Sequence, residues 1–137
     1  MTKVYVSDTN IWIDFRNAEL LDELFRLPLT FCCTDFVFHE LNDLPHIELI
    51  NQGLRVESLD EGAVMQLYAL KSARRNSSLA DVSCYFLAKM TTSPLLTGDG
   101  KLRKQATKDG LQVFGVLWLL DQLLEQSVIS NSRAAIT

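Results

Sequence analysis

Short β-branched and aromatic runs take turns with longer stretches of helical periodicity along this chain. The segments KVYVS (3–7), LTFCC (29–33), RVESL (55–59), PLLT (94–97) and LQVFG (111–115) read as strands. Helical patterns fill the intervals at 10–26 in two pieces, 35–43, a turn at 46–52, then 61–75, 79–91, 99–109 and 116–126. Regular alternation of this kind predicts a three-layer α/β/α sandwich around a five-stranded parallel sheet, joined by right-handed crossovers. A chain of 137 residues that is 47% hydrophobic is the size of one domain with a core of its own. Residues 1–128 read as that domain and 129–137, ending SNSRAAIT, as a flexible tail.

Composition narrows the class. No apolar stretch approaches the roughly 20 residues that span a bilayer and no charged leader precedes one, so a soluble, cytoplasmic protein with no membrane partner is expected. Cys32, Cys33 and Cys84 offer neither a C-x-x-C pair nor an even disulfide framework, and are expected as buried, reduced thiols. The net charge of −4 hides a strong asymmetry. Residues 1–70 carry 12 acids against 4 bases, whereas residues 71–108 carry 8 bases against Asp81 and Asp99 alone, a local balance of +6. Such a segment is either an ordinary solvated helix surface or a face for a polyanion.

Four acids are better placed for chemistry than the others. In parallel α/β sheets ligands bind beyond the carboxyl ends of the strands. Asp8 follows the first strand and Asp99 the fourth, each between small residues: Ser7 and Thr9, Gly98 and Gly100. Each is also a competent helix cap. On the helix expected at 35–43, with Thr34 as its cap, Glu40 lies four residues from Phe36 and three from Val37, and so is expected on the inward stripe, with His39 outward. An inward glutamate needs a cation, either a metal or a basic side chain. Asp81 is the only acid of LADVSCYFLAKM (79–90), a segment apolar on almost every side, and follows the candidate caps Ser77 and Ser78. An acid in a first helical turn is favoured by the helix dipole, and the same position opens a central helix toward a ligand.

Taken together the four resemble the signature of the PIN-domain nucleases: an acid after the first strand (SDTN), a glutamate on an early helix (FVFHEL), an Asp opening a central helix (SLADVSCYFLAK) and a T-x-D after the fourth strand (LLTGDGKL). The match runs in order from residue 3 to about 126. The family's parallel five-stranded fold agrees with the periodicity. The resemblance implies a metal-dependent endoribonuclease using Mg²⁺ or Mn²⁺. It further implies the toxin of a toxin–antitoxin pair, of the VapC type, with RNA as substrate, an antitoxin protein as partner and a homodimer as assembly. Where many relatives carry a further acid or Asn shortly after T-x-D, this chain has Gly100 and Lys101, which weakens the case for a second metal position.

Gathering four carboxylates costs roughly 3 to 4 kcal/mol per pair at 4 to 5 Å and an effective dielectric near 20, which a hard divalent cation would offset. On this reading Asp8, Asp81, Asp99 and Glu40 form the catalytic and metal-binding set, with Glu40 acting on the attacking water. Asn10 and Thr97 position them, and Arg74, Arg75, Lys101, Arg103 and Lys104 meet the RNA backbone. The rivals are a catalytically silent module of the same fold that binds RNA or protein, and a nuclease of RNA processing rather than a toxin. A serine or cysteine hydrolase is poorly served by two histidines, His39 and His46. A haloacid-dehalogenase-type phosphatase needs an acid where Asn10 stands, and a receiver domain needs paired acids at the first strand.

Overall fold

The computed structural model describes residues 4–73 and 77–129. Five strands, β1 (Val4–Ser7), β2 (Thr30–Thr34), β3 (Arg55–Glu57), β4 (Leu95–Leu96) and β5 (Val113–Phe114), form one parallel sheet in the order β3-β2-β1-β4-β5. Among the described residues eight helices lie between and after them: α1 (Thr9–Asn17), α2 (Leu21–Leu24), α3 (Asp35–Glu40), α4 (His46–Asn51), α5 (Glu61–Ala73), α6 (Leu79–Thr91), α7 (Gly100–Lys108) and α8 (Val116–Glu125). The expected strands and helices are all present among the described residues. The largest differences in extent are at α3, which stops at Glu40 rather than running to 43, and at β5, which is Val113–Phe114 rather than 111–115.

Alternation along the strands divides the core between the two faces of the sheet. Phe31 of β2 meets Trp12 of α1 edge-on, Trp12 stacks on Phe25, and Tyr5 of β1 stacks on Trp118 of α8. Cys32, one residue along, lines a cavity on the opposite face with Leu87 of α6. α6 contacts β1, β2 and β4, and Ala80, Val82, Ser83, Cys84, Tyr85, Leu87 and Ala88 are all buried, which accounts for its apolar composition. The three cysteines are free and buried; burial pushes the Cys32 and Cys33 thiols up to about 12, so they stay protonated. No helix among the described residues is long and apolar enough to cross a membrane. Ile129, the last described residue, is buried; the rest of the expected tail, 130–137, lies outside the described residues.

The strand order has a direct consequence for function. From β1 the chain steps outward to β2 and β3 on one side, then returns to build β4 and β5 on the other. The crevice between β1 and β4 is therefore the topological switch point, where connections leave in opposite directions and open a ligand site at the carboxyl ends.

A buried polar chain ties α3 to α6 beside this crevice. Ser83 Oγ donates to the Ala80 carbonyl at 2.5 Å, so its contact with Thr34 Oγ1 at 2.7 Å must be a hydrogen bond donated by Thr34. Thr34 Oγ1 in turn accepts from the Val37 N–H, capping α3. Thr34→Val removes the cap and one buried hydrogen bond together. It is expected to cost about 1 to 2 kcal/mol in urea unfolding; a loss below about 0.5 kcal/mol would show the chain to be dispensable.

Candidate active site

Four acids of the sequence come to the carboxyl edge at the switch point. Asp8 caps α1 and is 1% exposed. Its Oδ1 accepts from the Ile11 N–H at 3.1 Å and its Oδ2 from the Thr97 hydroxyl at 2.6 Å. Thr97 Oγ1 accepts from the Asp99 N–H at 3.1 Å, so a single hydroxyl couples the β4 turn to the Asp8 carboxylate. Burial raises the Asp8 pKa, while the Thr97 hydroxyl and the Ile11 and Gly98 N–H groups work in the other direction.

Asp99 caps α7, its Oδ1 accepting from the Lys101 and Leu102 N–H groups at 2.9 and 3.2 Å. Its Oδ2 accepts from the Ser77 hydroxyl at 2.9 Å. Asp81 sits in the first turn of α6, which Ser78 caps by accepting the Asp81 N–H at 3.0 Å. Its pKa is raised to about 6, chiefly by burial and then by the negative charges of Asp8 and Asp99, with Glu40 a smaller contributor. That list of neighbours shows that the four carboxylates share one electrostatic environment.

Glu40 departs from expectation. Because α3 is only six residues long and ends at Glu40, the side chain leaves from the open end of the helix and is exposed rather than turned into the core. It is nonetheless held: Thr9 Oγ1 donates to Glu40 Oε2 at 2.9 Å, joining the start of α1 to the end of α3. His39 is exposed, as its helical position implies.

Of the two residues expected to hold carboxylates, Thr97 is hydrogen-bonded to Asp8 and to the Asp99 N–H, whereas Asn10 lies away from the acids. Asn10 is exposed, no hydrogen bond joins it to the four acids among the described residues, and Asp8 itself caps α1. Thr9 and Ser77 do that work instead, one on Glu40 and one on Asp99. The sequence signal for both was weak: a hydroxyl beside each of two acid motifs, with nothing to say which distant carboxylate it reaches. Of the basic residues, Arg74 and Arg75 lie outside the described residues. Lys101, Arg103 and Lys104 are exposed on α7. The Arg103 guanidinium donates to the Thr97 carbonyl at 3.3 Å and packs so closely on Gly115 that a Cβ there would stand 2.8 Å from it. Its first effect is thus to brace the β4 turn.

The donor set suits a hard divalent cation. Every group is a carboxylate or hydroxyl oxygen, and no ion pair neutralises the four acids among the described residues. A Cβ added at Gly98 or Gly100 would meet nothing within 4 Å, so open space adjoins Asp99. Among the described residues, no three acid, histidine or cysteine side chains are already drawn together as a ready-made metal shell.

A five-stranded parallel sheet with four acids around its switch point defines an α/β domain with an acidic centre. A family model described as "DUF3368: PIN domain" matches residues 4–137. The chain belongs to the PIN-domain family, whose members are generally divalent-metal-dependent nucleases. The fold is similar to that of a PilT N-terminus domain protein from the hyperthermophilic archaeon Sulfolobus solfataricus P2. The TM-score is 0.62 at 14% identity, over 89% of this chain and 94% of that one. No curated protein matches the sequence.

Proposed function

We propose that this chain is a metal-dependent endoribonuclease, hydrolysing RNA phosphodiester bonds with Mg²⁺ or Mn²⁺, and that it is the toxin of a toxin–antitoxin pair. The observation that carries the catalytic part is Asp8. A carboxylate buried to 1% exposure, with no cationic partner among the described residues and three more acids around it, is an unfavourable arrangement unless a cation joins it.

Asp8 and Asp99 would hold the metal directly or through water, with Asp81 as a further ligand or as acceptor for a metal-bound water. When bound, the cation supplies positive charge for the phosphoryl oxygens and lowers the pKa of a water. The protein's own groups do the rest. Thr97 and Ser77 fix the carboxylates they touch, so no reorientation is needed when substrate arrives. Glu40, tethered at Oε2 by Thr9, keeps Oε1 to orient the attacking water and accept its proton. Lys101 and Lys104, with Arg74 and Arg75 by their sequence position, attract the RNA backbone.

Cleavage of a mixed RNA pool with Mg²⁺, with Mn²⁺ and with EDTA tests the assignment. Cleavage is expected only with the divalent ion, and equal cleavage in EDTA would falsify it. Independently of turnover, Mn²⁺ at about 100 times its Kd should add about 2.7 kcal/mol of stability to the wild type. An equal thermal shift in Asp8→Asn would place the ion elsewhere.

The toxin role rests on the resemblance and implies an antitoxin protein and a homodimer. The exposed apolar side chains Ile47 and Ile50 of α4, and Met65 and Tyr68 of α5, are surfaces such partners would cover. Expression without the neighbouring reading frame should arrest growth, and co-expression with it should restore growth and yield a complex.

A further inference from the structure

A pocket of about 480 Å³ opens beside the acidic centre, between α3 and the start of α6. Its walls are Phe36, His39, Leu79 and Ala80, with Asn42 and Glu40 among its polar lining groups. Glu40 belongs to both pocket and centre, and Leu79 and Ala80 directly precede Asp81. Whatever fills the pocket is therefore a neighbour of the bond the acids act on.

The chemistry of the lining selects the occupant. Phe36 and Leu79 are half-buried and apolar, and His39 presents an exposed imidazole, so the walls suit a flat heterocycle. Among the described residues the lining holds no Lys or Arg, and Asp35 and Glu40 add negative charge, which disfavours a phosphate. The basic residues of the site, Lys101 and Lys104, lie on α7 instead. An RNA strand crossing the centre thus has a side for its phosphates and a side for a base.

We infer that this pocket is a nucleobase subsite. It stacks one unpaired base of the substrate against Phe36 and His39, and prefers bases whose amino groups can donate to the Asn42 side-chain oxygen. The inference rests on the ribonuclease reading, and the following experiment separates the two.

Single-stranded RNA octamers carrying 2-aminopurine at one position each are titrated with the Asp8→Asn protein, which leaves the pocket intact. Quenching is expected at one position, the base that enters. Adding His39→Ala, on an exposed residue, or Phe36→Leu, checked by thermal melting, should relieve the quenching and weaken binding about 5- to 100-fold, the range for loss of a stacking platform. The salt dependence of binding should stay unchanged, because phosphate contacts are untouched. RNA that fails to bind, binds without quenching at any position, or keeps both affinity and quenching in the two variants overturns the subsite. If the wild type cleaves RNA with Mg²⁺ while no base is quenched, only the subsite falls. If a base is quenched but no RNA is cleaved, the hydrolytic reading falls and the subsite stands.

Discussion

Asp8→Asn is expected to reduce metal-dependent cleavage by about 10² to 10³-fold, the scale on which removing one group that stabilises transition-state charge affects other enzymes. The fold should survive. Asparagine keeps an oxygen for the Ile11 N–H, which caps α1, and its amide nitrogen can donate to Thr97 Oγ1, since a hydroxyl accepts as readily as it donates. Burial without a partner cation disfavours the charged form of Asp8, so losing the charge relieves a cost in the metal-free protein. The melting temperature in EDTA should be unchanged or slightly higher. A variant that unfolds, or one that cleaves at the wild-type rate, would each show that Asp8 is there to cap rather than to bind a metal.

Asp81→Asn should lower cleavage by about 10²-fold and, in EDTA at pH 7, stabilise the fold. The direction follows from linkage: a carboxyl whose folded pKa stands at about 6, above its unfolded value of 3.8, binds its proton more tightly in the native state. The cost of its charge is fully present above pH 6 and is removed as pH falls through 6 toward 4. Metal-free wild type should therefore gain stability from Asp81 on acidification across that window, offset by whatever other carboxylates lose there. Full weight on the displacement would be about 3 kcal/mol, but solvent reaches this half-buried group and screens its neighbours, so about 1 to 1.5 kcal/mol is expected. The helix dipole, which favours an acid at this position by about 0.3 to 1 kcal/mol, reduces the net gain further. Urea titrations of both proteins at pH 4.5, 6 and 7.5 measure it. Parallel pH profiles would show that Asp81 does not carry the raised pKa. With saturating Mn²⁺ the order should reverse, because only the wild type keeps the full ligand set.

Much of the acidic centre was legible before the fold because each acid follows a local rule. A carboxylate one to three residues past a strand at the start of a helix, or within the first turn of a helix after a serine, has its backbone position set by its immediate neighbours. Asp8, Asp99 and Asp81 all behave in this way. Glu40 was misjudged because Phe36 was taken to mark the inward face. The buried positions are Val37 and, four residues on, Leu41, whereas Phe36 is half-buried and Glu40 exposed; the helix also ends at Glu40, with Leu41 at ψ 49°. Helix ends are decided by caps and packing, which periodicity does not register. Asn10 was expected to hold a carboxylate or a water, but it is exposed in the first turn of α1, and Asp8 itself accepts from the Ile11 N–H as the cap.

The order of strands and helices, the buried character of α6 and the cap at Thr34 were determined by the sequence alone, because each depends on residues within one or two turns of chain; the choice of Ser78 over Ser77 as the cap of α6 was not. Only the tertiary structure decided which hydroxyl serves which acid: Thr97 reaches Asp8 across 89 positions, Thr9 reaches Glu40 across 31, and Ser77 reaches Asp99 across 22. The first two partnerships arise from the strand order, which sets β4 and β2 on either side of β1, and the third from the packing of α6 against that sheet. A side-chain hydrogen bond depends on a separation of about 3 Å in space, and distance along the chain carries no information about that until the sheet has closed.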